Sequence, residues 1–318
     1  MSISVELFGK RVLSPVGLAS GPAPNLAWLS LFQDLGYDIL TFKTMRDRGW
    51  KGHGMPNILN VRGDFESGFV TSQEFTGSIT NSLGMPTPEP EVWFHDASEL
   101  AKRAADRYFV MSVTATLQSG SGEEDMLEQF SDLSGRARRT GADAVELNLS
   151  CPNVTAGEGG YTFADAKLSG RVVDSVRSEV GSGFPIFVKA GYLEDYGPLV
   201  DETYDDRTGY VAINSISAPV KGAHGELVFA DRGGRAGICG EAIRGYSRKA
   251  VSRLASQRKG GRELTIVGLG GVLGPDHAVE LLESGANAVE SATGAIADPL
   301  LAVKTKLRLL EREADSER

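Results

Sequence analysis

The sequence predicts an α/β fold, a (β/α)8 TIM barrel, because eight short apolar runs alternate with amphipathic helical segments from one end of the chain to the other. The 318 residues are enough for a barrel of about 250 residues with insertions. No stretch has the composition of a linker, so we expect a single domain over residues 1–318, with an insertion at about 44–95 after the second strand. A doubly wound sheet with a second domain would show the same alternation, but the number of strands favours the barrel.

Each predicted strand is a short apolar run bounded by Gly, Pro or polar residues. The runs lie at residues 15–20, 37–43, 108–115, 143–149, 185–190, 209–215, 264–270 and 286–292. The predicted helices, with apolar residues every three or four positions, lie at 25–35, 97–107, 123–140, 166–180, 240–257, 275–283 and 299–312. A unit with a weaker helical pattern, 194–208, follows the fifth strand.

Every predicted strand ends in polar residues or glycine. The carboxyl ends of parallel barrel strands share one face, and TIM-barrel enzymes carry their active sites on that face. The sequence therefore predicts a single site at eight strand ends, which supply Ser20, Gly21, Lys43, Thr44, Thr114, Asn148, Lys189, Asn214, Ser215, Gly270, Gly271 and Thr293.

Two of these residues are lysines that follow apolar strands. A lysine in such a place either reaches water or faces a buried anion, and two of them at one rim, Lys43 and Lys189, indicate a ligand with distributed negative charge. Amides that both donate and accept hydrogen bonds suit a planar ligand with alternating C=O and N–H groups. The candidate amides are Asn81, Asn148, Asn153 and Asn214.

Two glycine-rich segments lie near the same face. The segment IVGLGGVLG, at 266–274, precedes a helix whose free N–H groups can hold a phosphate, with Thr293 opposite. A dinucleotide fingerprint is disfavoured there, because the spacing is GxGGxxG and the segment lies in the penultimate βα unit. The segment GGRAGICG, at 233–240, is expected to be a loop whose backbone approaches a flat cofactor.

Charge and cysteine content exclude several classes of function. The net charge of -9, the pI of about 5.1 and the lack of a Lys/Arg block argue against nucleic acids and anionic membranes and favour a small-molecule partner. No signal peptide or membrane span is recognisable, so a cytoplasmic location is expected. Cys151 and Cys239 form no CxxC pair and the four histidines show no ligand spacing, so neither a metal nor an iron–sulfur site is expected.

Several short motifs occur in order along nearly the whole chain: LASG, TFKT, NSLGMP, ELNLSCPNV, FVKAGY, AINSIS, GICG, IVGLGG and ATG. In these motifs the sequence resembles the dihydroorotate dehydrogenase family of FMN-binding barrels, most closely its soluble cytosolic class. ELNLSCPN is the most specific of them, and NSLGMP supports the resemblance independently. The resemblance implies an FMN-dependent dehydrogenase of pyrimidine biosynthesis that acts on a CH–CH bond, most closely in dihydroorotate. It also implies a homodimer, with an electron-transfer partner subunit as one option.

The resemblance also implies roles for individual residues. Contacts to FMN are implied for Ala19, Ser20, Gly21, Lys43, Thr44, Asn148, Lys189, Ile213, Gly237, Gly270, Gly271, Ala292 and Thr293. Contacts to the pyrimidine substrate are implied for Asn81, Leu83, Gly84, Met85, Asn148, Asn153, Asn214 and Ser215. Catalytic roles are implied for Cys151, as the base, and for Lys43, beside the isoalloxazine ring of FMN.

The chemistry explains why a thiol in a polar loop is useful. Dehydrogenation next to a carbonyl removes a proton and a hydride, and a flavin takes only the hydride. A base must take the proton from the opposite face, and a cysteine thiolate between two asparagines suits that task. Cys239 is interpreted as a small space-filling residue.

The chain departs from the family pattern near the substrate. Residues 45–61 read MRDRGWKGHGMPNILNV in place of a stretch rich in Glu-Arg and Asn-Pro, and His53 is the histidine best placed to join a lid. Strand eight reads VESATG in place of a neutral Gln followed by Gly-Thr, so Glu290 and Ala292 are unexpected. Glu290 faces either the helix layer or the cofactor, and the sequence leaves both open.

Three alternative functions follow from these departures and from related chemistry. The first is a dihydropyrimidine-type or secondary-metabolic FMN oxidoreductase with a related substrate. The second, tRNA dihydrouridine synthesis, is disfavoured by the negative net charge. The third is a non-catalytic flavin-binding protein that keeps the pocket without turnover. The electron acceptor stays open between fumarate, oxygen and an NAD-linked partner.

Overall fold

The computed structural model describes residues 3–104, 106–117, 120–150 and 161–316. The strands are β1 (Val5–Leu7), β2 (Lys10–Val12), β3 (Val16–Leu18), β4 (Ile39–Met45), β5 (Ile58–Asp64), β6 (Gly68–Ser72), β7 (Ser78–Asn81), β8 (Tyr108–Val113), β9 (Ala144–Asn148), β10 (Ile186–Ala190), β11 (Thr208–Ala212), β12 (Ile216–Lys221), β13 (Arg235–Gly240), β14 (Thr265–Leu269) and β15 (Ala288–Ser291). The helices are α1 (Leu26–Asp34), α2 (Pro90–Arg103), α3 (Glu123–Arg139), α4 (Ala166–Val180), α5 (Gly197–Thr203), α6 (Arg244–Ala255), α7 (Pro275–Glu283), α8 (Thr293–Ala297) and α9 (Leu301–Ser316).

Eight parallel strands form a closed barrel in the order β3, β4, β8, β9, β10, β11, β14, β15 and back to β3. The predicted TIM barrel is therefore confirmed, and the doubly wound alternative is wrong because β15 pairs with β3 and leaves no sheet edge there. All eight predicted strands are present. The helix predicted at 97–107 begins earlier, at Pro90, where the missing proline N–H costs nothing in the first turn.

The barrel interior is apolar at the amino ends of the strands. Inward-facing side chains there, including Tyr108, Val110 and Phe187, form a separate buried cluster. The hairpin of β1 and β2 packs into this end, and the Phe8 ring lies edge-on to Phe187 with centroids 5.4 Å apart. Because this end is filled by apolar side chains, polar side chains of the interior lie towards the carboxyl ends.

Gly17 lies where the wall of the barrel is most crowded. A Cβ at this position would come within 2.9 Å of Ile39 Cβ and 3.0 Å of Glu290 Cγ. We expect Gly17→Ala to lower the free energy of unfolding by about 1–3 kcal/mol, measured by urea denaturation, because the core must shift to accept a methyl group.

Gly245→Ala is the matched control. An added Cβ on this α6 residue would meet nothing within 4 Å, so about 0.5–1 kcal/mol of added stability is expected. Equal unfolding midpoints for wild type and Gly17→Ala would contradict the crowding argument.

A second, smaller sheet is inserted into the barrel and closes on itself in the order β12, β13, β7, β5, β6. It is built from two chain segments, one between β4 and α2 and one between β11 and α6. The expectation that residues 233–240 form a loop is wrong, because Arg235–Gly240 is strand β13, paired on both sides. Glycine lowers strand propensity, but hydrogen bonding to β12 and β7 outweighs it.

Two further findings concern only the described parts of the chain. No helix there is long and apolar enough to cross a membrane. No three His, Cys, Asp or Glu side chains come together there as metal ligands would. The single-domain interpretation of residues 1–318 stays a prediction.

Candidate active site

A cavity of about 1100 Å³, including its open mouth, lies at the carboxyl ends of the barrel strands. Residues at the ends of the barrel strands line one side of it, and the small sheet contributes Ile58, Ile79, Asn81 and Cys239. The cavity therefore lies between the two sheets, on the face where the sequence predicts the site.

Most of the predicted site residues line this cavity. They are Ala19, Ser20, Gly21, Lys43, Thr44, Asn81, Leu83, Met85, Asn148, Lys189, Ile213, Asn214, Ser215, Gly270, Gly271, Ala292 and Thr293. Gly84, Thr114 and Gly237 are described but do not line it. Thr114 Oγ1 donates to the Asn148 carbonyl at 3.1 Å, and Gly237 lies in β13, where a Cβ would come within 2.4 Å of Ser215 Oγ. Cys151 and Asn153 lie outside the described residues.

Lys189 is fixed at the bottom of the cavity by hydrogen bonds and an ion pair. Its Nζ donates to Ser20 Oγ at 2.8 Å and lies 3.2 Å from Glu146 Oε1. The side chains of Lys189 and Glu146 are only 4% and 1% exposed. Glu146 also accepts from Ser112 Oγ at 2.6 Å. Buried charges persist when they are paired and hydrogen-bonded, so the ammonium has a defined position. Sequence reasoning missed Glu146, although the period of two along β9 places it on the same face as Asn148.

An array of amide groups lies above this ion pair. Asn148 Nδ2 donates to Thr44 Oγ1 at 3.1 Å, and Asn148 Oδ1 accepts from Asn214 Nδ2 at 3.2 Å. From the small sheet, Asn81 Nδ2 donates to Cys239 Sγ at 3.3 Å. The three predicted amides that are described therefore meet in one cavity, where they can orient a planar ring with C=O and N–H groups.

The loop after β14 fits a phosphate group. Gly270 and Gly271 have φ values of +114° and +75°, a region in which other residues are strained. A Cβ on Gly271 would come within 2.6 Å of Arg244 Cα, so the backbone approach requires glycine. The buried Thr293 lines the same end of the cavity. Backbone N–H groups at such a turn form an anion-binding concavity.

Glu290 lies in β15 with its side chain inside the barrel. It lines the cavity, and only 2% of the residue is exposed. Thr41 Oγ1 donates to Glu290 Oε1 at 2.7 Å, while Oε2 makes no hydrogen bond to any described residue. Burial and the Glu146 carboxylate, opposed by Lys189, raise the pKa of Glu290 to about 8. Of the two orientations left open by the sequence, the structure shows the one towards the cavity.

The segment that departs from the family pattern packs against NSLGMP. Arg46 is buried, its Nη1 donates to the Gly84 carbonyl at 3.3 Å, and its guanidinium lies 5.8 Å from the centroid of the Trp50 ring. The His53 ring lies edge-on to Trp50, and a Cβ on Gly84 would come within 3.0 Å of it. Gly84 therefore contacts both Arg46 and the His53 ring, while the adjacent Met85 lines the cavity.

Comparison with known proteins gives a consistent result along the chain. A family model described as dihydroorotate dehydrogenase matches residues 2–312. The dihydroorotate dehydrogenase of Dictyostelium discoideum is 31% identical, over 94% of this chain and 86% of that protein. The protein named dihydroorotate dehydrogenase B (NAD(+)), catalytic subunit, from Thermoplasma volcanium is 27% identical, over 92% of this chain and 86% of that protein.

A solved structure extends the likeness to three dimensions. The crystal structure of DHODH in complex with ferulenol from Eimeria tenella matches with a TM-score of 0.78, over 99% of this chain and 85% of that chain. The sequence identity in this comparison is 19%, so it shows a common fold.

Proposed function

We propose that this chain, which belongs to the dihydroorotate dehydrogenase family, oxidises dihydroorotate to orotate. Enzymes of this family act on CH–CH groups, and FMN would be the cofactor. The observation that carries the proposal is the cavity itself. It combines a buried lysine, a cluster of amides and a glycine turn at the carboxyl ends of a TIM barrel.

The residues that would hold FMN form two groups among those that line the cavity. Gly270, Gly271 and Thr293 would hold its phosphate, because the two glycines form a turn with positive φ whose backbone N–H groups can bind an anion, and Thr293 lines the same cavity. Lys189 and Thr44 would contact the ring. FMN, when bound, supplies the hydride acceptor of the reaction. The fixed ammonium of Lys189 would stabilise negative charge that develops nearby without having to move.

The substrate would lie against the amides, with a cysteine as the base. Asn81, Asn148 and Asn214 would grip the C=O and N–H groups of dihydroorotate, with Lys43 beside them. Ser150, the last described residue before Cys151, belongs to the same network, since its Oγ donates to the Lys189 carbonyl at 3.0 Å. The chain thus enters the segment that carries Cys151 from within the site, which supports this thiol as the base.

The test is the colour of the purified protein and its response to substrate. We expect a yellow protein whose flavin absorbance bleaches on anaerobic mixing with dihydroorotate. Faster bleaching with dihydrouracil would favour the dihydropyrimidine alternative, and bound FMN that no substrate reduces would favour a non-catalytic flavin-binding protein. A folded protein that takes up no FMN would contradict the proposal.

We further propose a homodimer that passes its electrons to a separate acceptor. The relative from Thermoplasma volcanium is named as a catalytic subunit of an NAD(+) enzyme, which supports an additional electron-transfer subunit as one option. Light scattering would measure the mass of the particle. Comparison of fumarate, oxygen and NAD+ as oxidants of the reduced protein would identify the acceptor.

A further inference from the structure

The bottom of the cavity brings two carboxyl groups and one lysine together inside the barrel. Glu146, Lys189 and Glu290 come from three different strands and are all buried. Lys189 is ion-paired with Glu146, which also accepts from Ser112, so this pair is electrically neutral as it stands. Among the described residues the Glu290 side chain has no ion-pair partner, and its one hydrogen bond is with Thr41.

A buried carboxyl group without a cationic partner is most stable when it is protonated. Burial and the Glu146 carboxylate raise the pKa of Glu290 to about 8, and Lys189 does not cancel this effect. Oε1 accepts the hydrogen bond of Thr41 at 2.7 Å, so the proton belongs on Oε2. A protonated carboxyl group has one O–H donor, and in this structure Oε2 makes no hydrogen bond to a described residue.

The surrounding strands hold Glu290 in this position. In the barrel register Gly17 lies next to Glu290 and Ile39 lies next to Gly17. The missing side chain at Gly17 lets Glu290 extend past β3 to Thr41 on β4, because a Cβ at Gly17 would come within 3.0 Å of Glu290 Cγ. The buried donor therefore has a defined position beside the cavity that Glu290 lines.

We infer that Glu290 is a neutral carboxylic acid in the resting protein and that its Oε2–H donates a hydrogen bond to an acceptor atom of the FMN ring. The inference rests on the FMN site proposed above. In that site Glu290 would position the FMN ring and tune its reduction potential. A buried donor left without an acceptor is unfavourable, and a bound ring with carbonyl oxygen and ring nitrogen atoms would supply one.

The protonation state of Glu290 determines whether it stabilises or destabilises negative charge on the bound ring. Below about pH 8 the neutral acid donates to the ring and, together with Lys189, stabilises negative charge on it. Above that pH Glu290 becomes an anion beside the ring and repels the same charge. Among the described residues, the other charged groups that interact with Glu290 or line the cavity are Glu146 on β9, Lys189 on β10 and Lys43 on β4. The reduction potential of bound FMN should therefore fall more steeply with pH above pH 8.

The experiment compares the full-length protein with its Glu290→Gln and Glu290→Leu variants. Gln keeps an N–H donor at this position and cannot ionise, whereas Leu removes the donor. We expect the dissociation constant of FMN to increase at least about fivefold in Glu290→Leu at neutral pH and to change less in Glu290→Gln. The extra fall of the potential above pH 8 should be present in wild type and absent in Glu290→Gln.

Infrared spectroscopy tests the proton directly. Protein labelled with 13C in the glutamate carboxyl groups should show the carbonyl band of a buried protonated acid at pH 7. The band should disappear as the pH rises through about 8 and be missing in Glu290→Gln.

Two results would overturn the inference. One is the lack of a protonated carboxyl band at pH 7 in wild type. The other is a potential that depends on pH in the same way in wild type and Glu290→Gln. Failure of the wild type to bind FMN would instead refute the proposed function, and the infrared band would still decide whether Glu290 carries the proton.

Discussion

Replacing Cys151 by alanine is expected to slow the reduction of bound FMN by dihydroorotate at least about 100-fold at neutral pH, while FMN still binds. The reason is that hydride transfer requires loss of a proton from the neighbouring carbon, and without the thiol only water or a distant group can accept it. Anaerobic stopped-flow absorbance at the flavin band measures the rate constant, and fluorescence titration measures the affinity for FMN.

The control is the second thiol of the chain. Cys239 lies in β13 and lines the same cavity, so Cys239→Ala tests whether loss of a sulfur atom there is sufficient to slow the reaction. We expect its rate constant to fall less than about tenfold. Comparable losses in the two variants would argue against Cys151 as the base.

The Lys189→Met variant is expected to lose about 3–5 kcal/mol of unfolding free energy, because the Glu146 carboxylate is left buried without its partner. The same variant should bind FMN more weakly, and its bound flavin should have a lower reduction potential, because a fixed positive charge is gone. Urea denaturation measures the stability, and anaerobic redox titration measures the potential.

A double variant separates these two effects. Lys189→Met combined with Glu146→Gln removes both charges, so we expect most of the stability to return while the potential of bound FMN stays low. A double variant as unstable as the single one would mean that the loss of stability does not arise from the unpaired Glu146. A normal potential in both variants would exclude Lys189 from the flavin site.

The barrel was predictable because its strands are continuous apolar runs bounded by Gly and Pro, such as Ile39–Met45 and Ile186–Ala190. Strands β1 and β2 have three residues each and leave no periodic pattern. The four glycines in residues 233–240 predict a loop, whereas Arg235–Gly240 is strand β13. Its pairing with β7 joins segments far apart in the sequence, which local propensity does not report.

Much of the candidate site was predictable from where its residues lie along the strands. Lys43, Asn148 and Lys189 lie at or near the carboxyl ends of parallel strands, and such ends converge in a barrel whatever the detailed packing. Gly84 does not line the cavity, and a Cβ there would meet the His53 ring, but its contact to the substrate stays a prediction. Its neighbours Leu83 and Met85 both line the cavity.

The order of apolar runs, the polar strand ends and the family motifs were determined by the sequence alone. They are local properties, and local properties suffice for the barrel and for the family. The tertiary structure decided that Glu146 pairs with Lys189 and that Glu290 faces the cavity with a raised pKa. Those facts depend on closure of the barrel, since the charges come from three strands and their interaction depends on burial and on distances that no single segment specifies.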